Sequence, residues 1–249
     1  MSKRKVTILI PAWNEESALP ATLANIAAME PAPDEVLLVD GGSDDDTVAI
    51  ATAANARVVQ APKKGRGPQI NCGVQQAKGE LVCVLHADSL LPIDAVAHIR
   101  ATMVDEKIAL ASFTPRIMGP GRNGKPRTRW GTTLHNWIKT WYAPALTRPH
   151  LFARGVRLLF GDHAMFFRRA DYLKVGGIPD SATIMEEADL CIGLTRLGKV
   201  KMTPRWVITS DRRITEWGAL KANYIYLKVG IMWCFGARNR LGDIYPDVR

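Results

Sequence analysis

Val6-Thr7-Ile8-Leu9-Ile10-Pro11-Ala12-Trp13-Asn14-Glu15-Glu16 is the stretch on which the reading of this chain turns. Residues 6–11 are apolar and rich in β-branched side chains, with no alternation of polar positions. Such a run predicts a strand buried on both faces. It stops at Pro11 and passes into polar residues. Residues 15–29 then carry Leu19, Leu23 and Ile26 at helical spacing. Outward from there the pattern repeats. Residues 35–39 predict a second strand, and 44–54 a helix whose Asp44, Asp45 and Asp46 suit its positive N-terminal end. Strands over 56–60 and 80–85 and helices over 68–76 and 92–103 follow, the last opened by Pro92. Strand and helix in alternation predict an α/β fold with a mostly parallel sheet covered by helices on both faces.

The middle of the chain is less regular. Residues 108–114 predict a strand, and 119–129 (GPGRNGKPRTR) a loop rich in Gly, Pro and basic residues. Residues 130–142 predict a helix, with Trp130, Trp137 and Trp141 at helical spacing, a pattern that favours packing over a sugar platform. A strand over 164–167, a helix over 185–197, short strands over 199–202 and 207–209, and a terminal amphipathic helix or helix pair over 216–235 complete the pattern.

Composition narrows the classes. In 249 residues, Cys72, Cys83, Cys191 and Cys234 form no Cys-x-x-Cys pair and have apolar flanks, as buried reduced thiols do. That fits a reducing cytoplasm. No signal peptide and no apolar run of transmembrane length is expected. The net charge of +9 is unevenly spread. Residues 1–106 hold 9 basic and 14 acidic side chains; residues 107–161 hold 10 basic and none acidic; residues 162–249 hold 14 and 10. A one-sign block of this kind attracts anions: phosphate, nucleic acid or an anionic membrane surface.

Ligands of open α/β sheets bind beyond the carboxyl ends of the strands. Four loops fall there: Pro11-Ala12-Trp13-Asn14-Glu15-Glu16, Asp40-Gly41-Gly42-Ser43-Asp44, Lys63-Lys64-Gly65-Arg66-Gly67-Pro68-Gln69 and His86-Ala87-Asp88-Ser89. One polar loop is an ordinary turn, but four on one rim make a site. Neither Gly-x-Gly-x-x-Gly nor Gly-x-x-x-x-Gly-Lys-Ser/Thr is present, which argues against a dinucleotide or P-loop site.

The pattern P-x-x-N-E-E followed by Val39-Asp40-Gly41-Gly42-Ser43-Asp44-Asp45-Asp46-Thr47 resembles the opening of family 2 glycosyltransferases with the GT-A fold. Gly65-Arg66-Gly67-Pro68-Gln69-Ile70-Asn71, Leu85-His86-Ala87-Asp88-Ser89, Gly161-Asp162-His163-Ala164, Met185-Glu186-Glu187 and Thr209-Ser210-Asp211-Arg212-Arg213 extend the likeness over nearly the whole chain. It is weakest over 116–157. The set is similar to the bacterial radical-SAM/selenodomain-associated subgroup.

The resemblance implies one GT-A domain over 1–249, with a donor half at 1–106 and an acceptor half with C-terminal helices at 107–249. It implies a nucleotide-sugar site made from Pro11, Ala12, Asn14, Glu15, Asp40, Gly41, Ser43, Arg66, Gln69, Asn71, His86, Ala87, Asp88, Arg212 and Arg213. Asn14 and Glu15 would lie near ribose and base, Asp40 would accept a hydrogen bond from the base, and Arg66 would touch base or diphosphate. Arg212 and Arg213 would contact the diphosphate or the acceptor. Asp88 is the surviving carboxylate of the family's D-x-D motif, His86 and Ala87 standing in the other two places. It would hold Mg²⁺ or Mn²⁺, with His163 or Asp162 helping. Glu187 stands where the family has the aspartate of its E-D motif, the base of an inverting transfer, unless the role shifts to Glu186.

The expected activity is transfer of a sugar from a UDP- or GDP-type donor. The acceptor is unknown, with the basic block, Arg127 and Arg129 within it, facing a phosphorylated or lipid-linked one at the inner face of the membrane by peripheral contact. No specific nucleic acid is expected. Two rivals stand beside this reading: a sugar-phosphate nucleotidyltransferase, and a non-catalytic anionic-surface binder that kept a degenerate donor pocket.

Overall fold

A computed structural model describes residues 3–120, 125–179 and 185–234. The chain runs β1 (Val6–Ala12), α1 (Leu19–Ala27), β2 (Glu35–Asp40), α2 (Thr47–Ala53), β3 (Arg57–Gln60), α3 (Arg66–Gln76), β4 (Leu81–Val84), β5 (Ser89–Leu90) and α4 (Ala95–Thr102). It continues through β6 (Ile108–Pro120), β7 (Pro126–Thr128), α5 (Trp130–Thr147), α6 (Pro149–Ala153), a short 3₁₀ turn (Gly161–His163), β8 (Met165–Arg168), α7 (Arg169–Lys174), α8 (Glu186–Leu194), β9 (Lys199–Ser210), α9 (Arg212–Trp217) and α10 (Ala219–Cys234).

All described strands join one sheet in the order β3-β2-β1-β4-β8-β6-β9-β5, with β7 paired to β6. Pairings β3-β2, β2-β1, β1-β4 and β6-β9 are parallel; β4-β8, β8-β6, β9-β5 and β6-β7 are antiparallel. Six described strands therefore point one way and β8, β5 and β7 the other. The mostly parallel sheet read from the apolar runs is present.

Side chains alternate across β1 and feed two cores. Leu9 joins Val39, Ile70, Val74, Phe167 and Leu190 on one face. Ile8 and Ile10 join Leu23, Ile26, Val96, Phe113 and Phe166 on the other. This is the two-sided burial that a continuous apolar strand requires. Gly73 lets α3 settle onto the sheet, because a side chain there would collide with Leu9 and Val39.

Three departures from the sequence reading have local causes. The first helix starts at Leu19 rather than residue 15, and the second at Thr47 rather than 44. The polar residues before each helix cross-link the two loops instead: Glu15 N–H donates to Thr47 Oγ1 and Glu16 N–H to Asp45. The loop expected over 119–129 is partly a hairpin, with Met118 opposite Thr128 and Pro120 opposite Pro126. The two short strands after 199 are one strand, β9, whose register slips between Ser112–Met202 and Thr114–Trp206. Pro204 lies in that slip, where its missing N–H costs no ladder bond. The terminal segment is a helix pair as far as Cys234, and Phe235 lies outside the described residues.

Candidate active site

A cleft of ≈ 880 Å³ opens at the carboxyl ends of β1 and β4 and extends toward α5, α8 and α10. Pro11, Glu15, Arg66, Gln69, His86, Ala87, Asp88, Glu186, Glu187 and Arg212 all line it. Ten of the residues singled out from sequence are thus brought together from five loops.

Two arginines organise the carboxylates of this cleft. Arg212, at the start of α9, has its guanidinium 3.2 Å from Glu15 and 3.6 Å from Asp88. It therefore ties the loop after β1 to the loop after β4, reaching Glu15 across 197 positions of chain. Arg66, at the start of α3, lies 3.3 Å from Glu187 and 3.7 Å from Glu186. Both glutamates are buried, so their charges need that partner. They open α8, where the helix dipole favours negative charge, and the chain enters the helix through Met185 in the left-handed region (φ 65°).

Gly161 holds the centre. A side chain at this position would collide with both His86 Nε2 and Glu187 Oε1. His86 and Glu187, far apart in sequence, thus close on one backbone position. Beside them stand Asp162, on the cleft wall, and Lys139, reaching in from α5. Burial opposes ionisation of Asp162. The charge and hydrogen bond of His163, with the charges of Lys139 and His86, outweigh it and hold the carboxyl well below the usual carboxylate range. Desolvation pushes the Lys139 ammonium below its ordinary pKa, against the pull of Asp162 and Glu187. Lys139 Nζ sits 3.7 Å over the Phe160 ring, a cation–π contact that compensates part of the lost hydration.

Other expected site residues are placed elsewhere. The carboxylate of Asp40 does not line the cleft. It accepts from Gly42 N–H (3.0 Å), Ser43 N–H (3.2 Å) and Ser43 Oγ (2.6 Å), and so shapes its own turn. Ser43 Oγ in turn accepts from Asn14 N–H, while Asn14 Oδ1 accepts from Asp44 N–H. Ala12, Asn14, Asp40, Gly41 and Ser43 are not among the cleft-lining residues, and Asn14, Asp40 and Ser43 knit the turn after β2 to the loop after β1. Gln69 donates to Ala12 O and Val39 O. Asn71 accepts from the Tyr172 hydroxyl and the Ile178 N–H and donates to Ile178 O, pinning the turn after α7. The side chain of Arg213 lies outside what the structure describes.

His163, expected to help hold a metal, is not among the residues that line the cleft. Its ring is fully buried. Nδ1 lies 3.0 Å from Asp162 Oδ1 and 3.2 Å from the Phe160 N–H, and Nε2 lies 3.2 Å from Thr140 Oγ1. Both nitrogens are engaged inside the protein. Among the described residues no group of three His, Cys, Asp or Glu side chains has metal-holding geometry.

Four cleft residues escaped the sequence reading. Lys64 Nζ lies 2.9 Å from the centroid of Trp13, closing the cleft beside Arg66. Lys139 was one charge among ten in the basic block, and Asn136, which donates to Asp162, was an unremarked helix position. Gly161, by its match to a motif, and Lys64, by its place in a rim loop, carried some signal; Lys139 and Asn136 carried none.

The basic block is not one surface. Arg129 Nε donates to buried Asp211 (2.6 Å), whereas Arg127 is exposed. Arg129→Ala should therefore cost about 1.5–3 kcal/mol, the usual worth of a hydrogen bond to a charged group. Arg127→Ala should stay within about 0.5 kcal/mol. Urea denaturation of the two variants gives the comparison, and equal midpoints would show that the Arg129–Asp211 tie carries no stability.

A parallel-rich α/β sheet with acidic loops and two bridging arginines at its carboxyl edge places a cleft where open α/β folds bind their ligands. The sequence profile of glycosyl transferase family 2 matches residues 7–176, and the chain belongs to that family. An uncharacterized glycosyltransferase of Mycobacterium tuberculosis strain H37Rv is 41% identical over 88 residues, which are 35% of this chain and 38% of that one. A bactoprenol glucosyl transferase of Shigella phage SfV is 28% identical over 149 residues, 55% of this chain and 47% of that one. The matched regions thus span less than half the length of these relatives. Among solved structures, a mannosyltransferase from Pyrobaculum calidifontis in complex with GDP-Man and Mn²⁺ superposes with a TM-score of 0.70 at 19% identity, over 97% of this chain and 66% of that one. That likeness establishes the GT-A fold.

Proposed function

We propose that this chain transfers a sugar, with inversion, from a nucleoside-diphosphate donor to an acceptor whose reacting oxygen meets Glu187. The carrying observation is the meeting of His86 and Glu187 over Gly161. It puts the loop that bears Asp88 and the carboxylates of α8 in one cleft. Residues 1–106 then supply the donor side and residues from 107 onward the acceptor side.

The chain's own groups have separable tasks. Trp13, Lys64 and Pro11 wall the end of the cleft that would take the nucleoside. Arg212 and Arg66 each hold a carboxylate pair, and either guanidinium can turn to a diphosphate oxygen when the donor enters. Glu187 removes the proton from the acceptor hydroxyl as that oxygen attacks the anomeric carbon and the nucleoside diphosphate departs.

Asp88 fits a hard divalent ion in one way. It is a single carboxylate on the cleft surface, and no cluster of protein ligands surrounds it among the described residues. Mg²⁺-type sites commonly combine one or two carboxylates with substrate phosphates and water. Asp88 would hold the ion against the diphosphate, where it would offset charge on the leaving group. The mannosyltransferase neighbour with GDP-Man and Mn²⁺ supports this reading.

Leu146, Leu158, Ile214, Leu227, Val229 and Trp233 also line the cleft. That lining suits an acceptor with an apolar portion, and the phage relative named for bactoprenol supports a lipid-linked one.

The test is a thermal-shift panel of UDP- and GDP-sugars with and without Mn²⁺, followed by assay of the released product. Ligands that bind the native state raise its melting temperature. Release of nucleoside diphosphate is expected, and release of pyrophosphate would overturn the reading in favour of a nucleotidyltransferase. Asp88→Asn should keep the fold but remove the Mn²⁺-dependent part of the shift given by nucleoside diphosphate. A wild-type shift that is the same in EDTA would exclude the metal role.

A further inference from the structure

Helix α5 is built inside out. Its buried positions are Thr133, Asn136, Thr140 and Pro144. Its exposed positions include Trp130, Leu134, Trp137, Ile138 and Trp141, which remain 39% to 61% open to solvent. These five recur at intervals of four, three, one and three residues, so they share one stripe roughly 100° wide. The sequence pattern read them as packing; the structure turns them outward, because the polar face of α5 is spent on Asp162, His163 and the cleft. An exposed apolar stripe of this size marks an interaction surface.

The charge around the stripe selects its partner. Arg116 lies over the Trp130 ring at 5.5 Å at one end, and Arg157 over the Trp141 ring at 4.6 Å near the other. Lys125, Arg127 and Arg154 are exposed, and no acidic residue occurs anywhere from 107 to 161. A second copy of the chain docking through this face would set the same positive block against itself. An anionic phospholipid surface answers both features. Trp and Leu enter the headgroup–acyl boundary, while Arg and Lys meet the phosphates. No helix among the described residues is long and apolar enough to cross a membrane, so α5 would lie in the interface plane.

We infer that the outer face of α5, through Trp130, Leu134, Trp137, Ile138 and Trp141, docks the protein on an anionic bilayer. The cleft mouth follows from it: Leu146 of α5 and Leu227 and Ile231 of α10 are exposed and also line the cleft. Apolar surface therefore continues into the end of the site that faces an acceptor. This docking stands apart from the proposed transfer, since it needs neither donor nor acceptor to be measured.

The full chain is sedimented with vesicles of phosphatidylcholine mixed with phosphatidylglycerol and, in parallel, with phosphatidylcholine alone. Tryptophan emission is followed in both, and again with brominated lipid as a contact quencher. Binding to the mixed vesicles, a blue shift and quenching are expected, with binding reduced by added salt. Trp137→Glu should weaken the binding by about tenfold or more. Circular dichroism checks its fold, and Arg127→Glu, at an exposed position, weakens the same binding without touching the stripe. Absence of wild-type binding to the mixed vesicles would overturn the proposal, as would full binding by Trp137→Glu. A dimer that Trp137→Glu converts to monomer, with neither form binding lipid, would assign the face to a second copy. Tighter binding to single-stranded nucleic acid than to vesicles at the same salt would assign it there.

Discussion

Glu187→Gln should lower sugar transfer by roughly 10²–10⁴, the span commonly lost with a general base, while the affinity for nucleoside diphosphate stays close to wild type. The substitution keeps the shape of the side chain and its place against Gly161 and removes only its basicity. Single-turnover transfer and calorimetric donor binding separate the two effects. Glu186→Gln is the matched control, because both carboxylates share Arg66 but only Glu187 closes on Gly161 with His86. A dead Glu186→Gln beside an active Glu187→Gln would move the base by one residue. Full activity in both would point to an acceptor that is already an anion, such as a phosphate, which needs no proton removed.

Gly161→Ala should be nearly as damaging, for a steric reason. Gly161 does not have a positive φ, so its backbone tolerates alanine. The added methyl, however, meets both the His86 ring and the Glu187 carboxylate. Overpacking of this kind costs about 1–3 kcal/mol. A displacement of about 1 Å in a reacting group can cost on the order of 10²-fold in rate. Transfer should therefore fall by about that factor, with a moderate drop in melting temperature. Combining Gly161→Ala with His86→Ala opens space on one side. If stability returns and activity does not, the two effects separate. Wild-type transfer in Gly161→Ala would mean that Glu187 does not react from the position it holds here.

Residues 1–106 were largely legible. Strands β1 to β4 were read from apolar runs that only a two-sided sheet can bury, and the loops after them from their polar, glycine-rich composition. The boundaries that moved did so where a side chain competed with the helix. Glu15 and Glu16 were read as helical, and their N–H groups instead cap onto Thr47 and Asp45. Residues from 107 onward were less legible. The β6–β7 hairpin carries a loop's composition, and β9 is continuous only because β6 lies along its length. His163 and Asn71 have the residue types of a site and the contacts of a scaffold.

Continuous apolar runs and a helical spacing of about 3.6 are local, and they determined by themselves where β1 to β4 and the helices between them lie, to within a few residues, and which rim holds the polar loops. The motif residues likewise carried the family resemblance without any coordinates. Which charges meet was decided only by the tertiary structure. Arg212 finds Glu15 across 197 positions, and Arg66 finds Glu187 across 121. No local pattern encodes such pairs, because they arise from the order of strands in the sheet and the space left by one glycine. The facing of α5 was decided in the same way. Its sequence shows an amphipathic helix, but burial of the polar side or the apolar side depends on what it packs against. Here the neighbours are Asp162 and His163, which bond to Asn136 and Thr140 on its polar side, and the tryptophans are left to face outward.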